Sequence, residues 1–322
     1  MPDINAPRRG SLQYWPRKRA RRGYARIKSK PKIKETKLLG FAGYKVGMTH
    51  VLIEDTRPTS LTKNENVMWP VTVIECPPLK THSIRFYQQT TDGLKLVSEI
   101  FSKNVTKDLL RKVRPSKKET KEPENFDEIR LVVYTQPRMT GIGQKKPQLF
   151  EIGIGGSDKK QQLEYAKQLL GKEIKINDIF KTGQFVDVHT ITKGKGFQGA
   201  VKRFGVRILQ HKAEKKKRGI ASLGSWKPKR VDFRVAQPGK MGFHQRTEYN
   251  KLLLKIGHET KEINPEGGFK KYGQVKNDYL LIKGSVGGPQ KRLVIMTEAV
   301  RPKSGLQQLE IGYTSLESKQ GR

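Results

Sequence analysis

The sequence predicts a mainly β protein: a small β-barrel carrying an inserted α/β domain, with long basic N-terminal and central extensions. Three observations lead there. Short strand-like runs punctuated by glycine recur in both halves of the chain, as in small barrels. Between those halves lie about a hundred residues that include a capped helix pattern. The charge is also unevenly spread. The chain of 322 residues has 66 Lys+Arg and 30 Asp+Glu, a formal net charge of +36. Residues 1–40 hold 13 basic and 2 acidic residues, and residues 193–234 hold 14 and 2.

The elements follow in order. Leu38 to Thr49 reads as a short strand and then a glycine turn. Val71 to Glu75 is a strand stopped by Pro77 and Pro78, because proline removes the ladder donor. His82 to Tyr87 and Leu94 to Val97 form a hairpin about Asp92-Gly93. Asp108 to Lys112 reads as helix, Glu119 to Asp127 as a polar loop, and Ile129 to Tyr134 as a strand. Ser157 caps a helix running to about Leu170, with Leu163, Ala166, Leu169 and Leu170 on one face and Gly171 beyond. Phe185 to Ile191 alternates as a strand. Lys251 to Ile256, Tyr279 to Lys283 and Leu293 to Met296 repeat the strand signal, and no internal repeat is found. The resulting domains are an N-terminal extension over 1–37, a barrel from 38–79, 181–192 and 235–300, and an inserted domain over 80–180. A central extension over 193–234 and a tail over 301–322 complete the chain.

Composition narrows the function. Hydrophobic residues make up 34%, enough for one core but low for a wholly globular chain. The pI of about 10.2 exceeds the pI 9 guide for nucleic-acid-binding domains. A polyanion relieves the self-repulsion of such a chain and releases its own counterions on binding. One cysteine, Cys76, excludes an intramolecular disulfide and a Cys-based zinc site, and fits a reducing compartment. No apolar run reaches about 18 residues, the N-terminus lacks the apolar core of a secretory signal, and no strongly amphipathic basic helix suits a membrane surface.

In the first basic segment Arg8, Arg9, Arg17, Lys18, Arg19, Arg21 and Arg22 are interleaved with Tyr14, Trp15 and Tyr24. Guanidinium groups that grip phosphate, beside rings that stack on bases, are RNA-binding chemistry. The plainer reading is a flexible tail or a nuclear localisation signal. Alone, the segment cannot bury enough surface to offset its ordering entropy. The second basic segment contains Lys212, Lys215, Lys216, Lys217 and Arg218. It leads to Trp226 and Lys227, where a tryptophan without apolar neighbours reads as a contact residue or loop-tip anchor.

The most enzyme-like motif is Thr192-Lys193-Gly194-Lys195-Gly196-Phe197-Gln198-Gly199, followed by Lys202 and Arg203. It lacks the full phosphate-loop pattern, yet glycines allow close backbone approach to a phosphate and lysines supply charge, which serves an RNA backbone as well as a nucleotide. Among His50, His82, His189, His211, His244 and His258 no i,i+4 pair completes a metal signature. His189 reads as packed or hydrogen-bonded within its strand. His244, beside Gln245 and Arg246 in a basic loop, reads as an RNA contact rather than a ligand. No Gly-x-Ser-x-Gly elbow occurs, and Cys76 lacks a nucleophile's context. No enzyme, cofactor, metal or small-molecule substrate is therefore assigned.

Val186 to Ile191 running into Thr192–Gly199 and Val201-Lys202-Arg203 resembles the hallmark of the ribosomal protein L-three family of the large subunit, in its archaeal and eukaryotic branch. Ala6–Leu12, Gly43–His50, Gly239–Thr247, Asn264–Phe269, Lys276–Tyr279 and Lys283–Pro289 agree with it, so the resemblance spans nearly the whole chain. The short tail after about Arg301 favours an archaeal member. The resemblance implies a barrel of the translation-factor kind and direct binding near the 3′ end of large-subunit rRNA. It also implies an early role in assembly, a cytoplasmic ribosomal location and neighbours among ribosomal proteins L-fourteen and L-twenty-four-e. It sets Trp226 at the tip of a central extension that reaches toward the peptidyl-transferase centre. Gln245 lies near a glutamine that some members modify, and no residue matches their modified histidine, which leaves modification open. The runner-up is an extra-ribosomal basic RNA chaperone or a nucleic-acid enzyme built on a barrel.

Overall fold

The computed structural model describes residues 7–31, 33–57, 59–114, 121–210, 212, 216–220, 222–302 and 309–318. His211, Lys215 and much of the tail after 301 lie outside the described residues. The chain divides into two compact units. The smaller comprises Met1–Arg22 with Ile191–Gln245, and the larger Gly23–Thr190 with Arg246–Arg322.

In chain order the first strands are β1 (Gly40–Glu54), β2 (Asn66–Glu75), β3 (Leu79–Thr90) and β4 (Gly93–Phe101). A short helix α1 (Lys107–Leu110) precedes β5 (Glu128–Tyr134) and β6 (Leu149–Gly153). Helix α2 (Lys159–Leu169), β7 (Glu173–Ile174) and β8 (Phe185–Ile191) follow. The smaller unit contributes β9 (Phe197–Gln198), helix α3 (Ala200–Phe204) and β10 (Gly239–Lys240). The chain then forms β11 (Gln245–Gly257), β12 (Tyr279–Lys283), β13 (Leu293–Glu298) and β14 (Ile311–Thr314).

Seven strands pair in the order β13-β8-β11-β12-β2-β1-β14, and β13 also pairs with β1. Six of them therefore close a hydrogen-bonded ring, with β14 outside it on the far half of β1. Strand β1 can pair twice on one edge because it is 15 residues long: Gly40–Tyr44 face β13, and Val51–Ile53 face β14. The glycine turn expected near Gly47 is instead a bulge. The pairing with β2 shifts register between Lys45 and Gly47, and the strand runs on. At Gly43 a Cβ would lie 2.6 Å from Ile74 and 2.7 Å from the Cys76 sulfur, so β1 crosses β2 too closely for any side chain.

Ring strands β12 and β13 are buried along almost their whole length, which is why they read as apolar runs; β8, which alternates in sequence, is buried likewise, its polar Asp187, His189 and Thr190 included. Truncating one such Ile or Leu to Ala costs about 2–5 kcal/mol. Two buried polar side chains of the ring, Glu75 and His189, are paired. The Glu75 carboxylate, fully buried at the end of β2, accepts from Tyr272 Oη, from the Lys276 and Asn277 amides at 2.9 and 3.1 Å, and from Asn277 Nδ2 at 2.7 Å. That pins the loop before β12 to the ring. His189 on β8 bridges two neighbours, its ring nitrogens lying 3.0 Å from Thr247 Oγ1 on β11 and 3.0 Å from Thr297 Oγ1 on β13.

A second sheet, β4-β3-β5-β6 with β7 on β3, is formed by chain lying between β2 and β8. Its hairpin turns at Gly93, whose φ of +113° only glycine adopts cheaply. Helix α2 starts one residue later than expected. Asp158, not Ser157, is the N-cap, and its Oδ1 accepts from the Lys160 amide at 3.0 Å. Ala166 is buried in the core, and the partly buried Leu163, Leu169 and Leu170 pack against that core. One apolar core runs through both sheets, and Tyr44 Oη with Thr135 Oγ1 at 2.9 Å ties them together. No helix among the described residues is long and apolar enough to cross a membrane.

Candidate nucleic-acid interface

The smaller unit is where the two basic segments meet. Read separately they are solvated extensions; in the structure they fold on one another. Together they bury rings that neither could bury alone. Trp15 stacks on Phe204 with ring centroids 6.1 Å apart and meets Phe233 edge-on at 5.7 Å. Trp15 is thus turned toward protein, not held open for a base. Phe204 ends α3, where Gly205 takes the left-handed C-cap conformation at φ +70°. The Arg17 guanidinium lies 4.4 Å above the Phe204 ring.

Polar contacts fasten the same junction. Arg8 Nη2 donates to the Arg234 carbonyl at 2.6 Å, and the Ala20 amide donates to Phe243 O at 2.8 Å. His244 Nδ1 donates to the Lys18 carbonyl at 2.7 Å, and the residue is buried. The His244 ring thus faces the N-terminal segment and holds it. Gln245 beside it is exposed, and Arg246 is half-buried.

The glycine motif is laced to the segment after β10. Thr192 exchanges bonds with His244, its amide donating to His244 O at 2.9 Å and its hydroxyl accepting the His244 amide at 3.0 Å. The Lys195 amide donates to Met241 O and the Met241 amide to Gly196 O, both at 2.9 Å. Strands β9 and β10 pair Phe197 with Lys240 and Gln198 with Gly239. Gln198 Nε2 donates to Lys195 O at 2.6 Å. Arg203 turns back onto the loop, donating to Lys240 O at 3.2 Å and Gln237 O at 2.9 Å. Gln198 and Arg203 therefore shape the loop.

The indispensable glycine is one that the motif reading did not single out. Gly242 has φ +74°, and a Cβ there would sit 2.1 Å from the Lys193 carbonyl oxygen. At Gly194 a Cβ would meet only Phe243, at an ordinary 3.6 Å. Gly196 has φ +70° with open space around it. The constraint on Gly242 comes from a loop some fifty positions away in sequence, which local spacing cannot show.

The charge is concentrated here. The residues of the smaller unit include 22 Lys+Arg and 3 Asp+Glu. Arg8, Arg9, Lys18, Arg19, Arg21 and Arg22 are exposed, as are Lys193, Lys195 and Lys202. Lys216, Lys217, Arg218 and Lys227 are exposed on the central segment, where Trp226 stands 82% exposed. Such a surface can neutralise many phosphates at once and offers rings beside the charges.

Elsewhere, titratable groups serve packing. Cys76 is buried, and burial pushes its thiol well above the usual range. Burial likewise holds the His189 and His82 imidazoles below their ordinary pKa. Among the described residues no cluster of three or more His, Cys, Asp or Glu could hold a metal ion.

Comparison with known proteins agrees with the sequence resemblance. The family model described as Ribosomal protein L3 matches residues 1–126 and 117–321. The chain is 47% identical over 98% of both chains to the large ribosomal subunit protein uL3 of Methanobrevibacter smithii. It is 48% identical over 98% of both to that of Methanococcus vannielii, and 44% identical over 99% of both to that of Methanocaldococcus jannaschii.

Proposed function

Since the chain belongs to the ribosomal protein L3 family, in company with archaeal members, we propose that it is a structural, non-enzymatic constituent of the large subunit of the cytoplasmic ribosome that binds rRNA directly. The observation that carries this reading is the smaller unit, with 22 basic residues against 3 acidic. A surface so charged is stable only against a polyanion, and counterion release makes that association favourable.

The finer reading follows the family. The chain binds near the 3′ end of large-subunit rRNA early in assembly, with ribosomal proteins L-fourteen and L-twenty-four-e as neighbours. The central segment reaches toward the peptidyl-transferase centre with Trp226 near its tip, and the ring's exposure supports this. The closed six-strand ring supports a barrel of the translation-factor kind, and the sheet formed between β2 and β8 supports an inserted domain.

Sedimentation tests the proposal. In cell extract a single copy should travel with large subunits and stay bound through a high-salt wash. Release by salt, or spread across unrelated RNA, would favour the extra-ribosomal RNA chaperone instead.

A further inference from the structure

A cleft lined by Arg19, Arg21, Gly196, Phe197, Lys240 and Gly242 opens beside the β9–β10 pair of the smaller unit. Its floor and rim differ in chemistry. Phe197 is 71% exposed, an unusual position for a ring whose own backbone is fixed in the β9–β10 pair. Trp15 also belongs to this unit, but its ring is taken up by Phe204 and Phe233. Trp226 is exposed on a segment without regular structure. Among the described rings that line this cleft, Phe197 combines an open face, a hydrogen-bonded backbone and neighbouring cations. Glycine adds no side chain to the lining at Gly196, whose φ is +70°, or at Gly242, where a Cβ would strike the Lys193 carbonyl.

Resting on the rRNA-binding reading above, we infer that this cleft takes one unpaired nucleobase of the RNA. The base stacks on the Phe197 ring, and Arg19 and Arg21 hold the adjoining phosphates. A base within a duplex has both faces covered by its neighbours, so a ring can stack only on one that is looped out, bulged or terminal. Stacking is tolerant of base identity, so the cleft reads the exposure of a base and not its sequence. Long-range charge attracts any RNA; this cleft selects a place where the RNA is not paired.

The test is binding of the full chain to large-subunit rRNA at several salt concentrations. Phe197→Ala should weaken binding about tenfold with an unchanged salt slope, since a base contact is lost but no phosphate contact is. Arg19→Ala should reduce the slope by about one. Phe197→Leu keeps apolar bulk on β9 without an aromatic face and should weaken binding as much as alanine, whereas Phe197→Tyr should retain it. Ultraviolet crosslinking should join Phe197 to an unpaired nucleotide. Wild-type affinity in the Leu variant, or an adduct at a paired base, would overturn the inference. Failure of the wild-type chain to bind rRNA at all would overturn the underlying reading instead.

Discussion

Gly242 shows how a single backbone position governs the interface. Its positive φ and the Lys193 carbonyl directly above it leave no room for a methyl group. Gly242→Ala should destabilise the smaller unit by about 1–3 kcal/mol, the usual cost of a forced backbone outlier. It should also speed amide exchange at Lys195 and Met241, whereas Gly194→Ala should do neither. Equal melting of the two variants would mean that the loop yields easily. Trp226 is the opposite case. With 82% of its surface exposed, Trp226→Ala should leave the melting temperature of the free protein unchanged. It should slow peptide-bond formation by ribosomes carrying it, because stacking worth roughly 1–3 kcal/mol per base can hold a local RNA conformation. A large melting loss with normal peptide synthesis would make Trp226 a packing residue. The exposure of Trp226 was legible from its polar neighbours. The weight on Gly242 was not, because its steric partner is remote in sequence.

Elements long enough to carry a pattern were legible. The strands at β5 and β12 follow from apolar runs, β8 from its alternation, and the hairpin at Gly93 from its turn residues. Helix α2 was displaced at its start because Ser157 and Asp158 are both good caps, and only the fold selects between them. Strand β6 and the four-residue β14 went unread. Ile311-Gly312-Tyr313-Thr314 is too short to show a period and exists because β1 overhangs the ring. Pairing between elements brings a pH dependence. His189 bridges β8 to β11 and β13 and is held below its ordinary pKa by burial, and His82 is held down likewise. Unfolding lets both take up a proton near pH 6.5, so the unfolded chain binds more protons just below that pH. The stability of the larger unit should be full above about pH 6.5 and fall as pH drops further. His189→Gln should flatten that fall, as read from melting between pH 7 and pH 5. An unaltered acid slope in the variant would assign the effect elsewhere.

At the scale of the whole molecule, the two segments whose charge stands out in the sequence, residues 8–22 and 193–234, belong to one compact unit. Residues 1–22 and 191–245 are about 170 positions apart, and nothing local announces that Trp15 will find Phe204 and Phe233. Their union places most of the protein's excess charge in its smaller unit. Few ring contacts and backbone bonds there oppose strong self-repulsion, which lengthens its reach as salt is lowered: the screening length is about 8 Å at 0.15 M and about 30 Å at 0.01 M. The larger unit has a continuous apolar core and a more even charge. In the free protein, lowering salt should therefore open the smaller unit first. Exchange of the Ala20 and Lys195 amides, which close onto Phe243 and Met241, should accelerate, while amides of β12 and β13 stay protected. Adding large-subunit rRNA should restore that protection at low salt, because a ligand that binds only the closed form stabilises it by mass action. Hydrogen exchange followed by mass spectrometry separates the two units in one experiment. If both lose protection together, or if the smaller unit is indifferent to salt, then packing and not charge sets its stability.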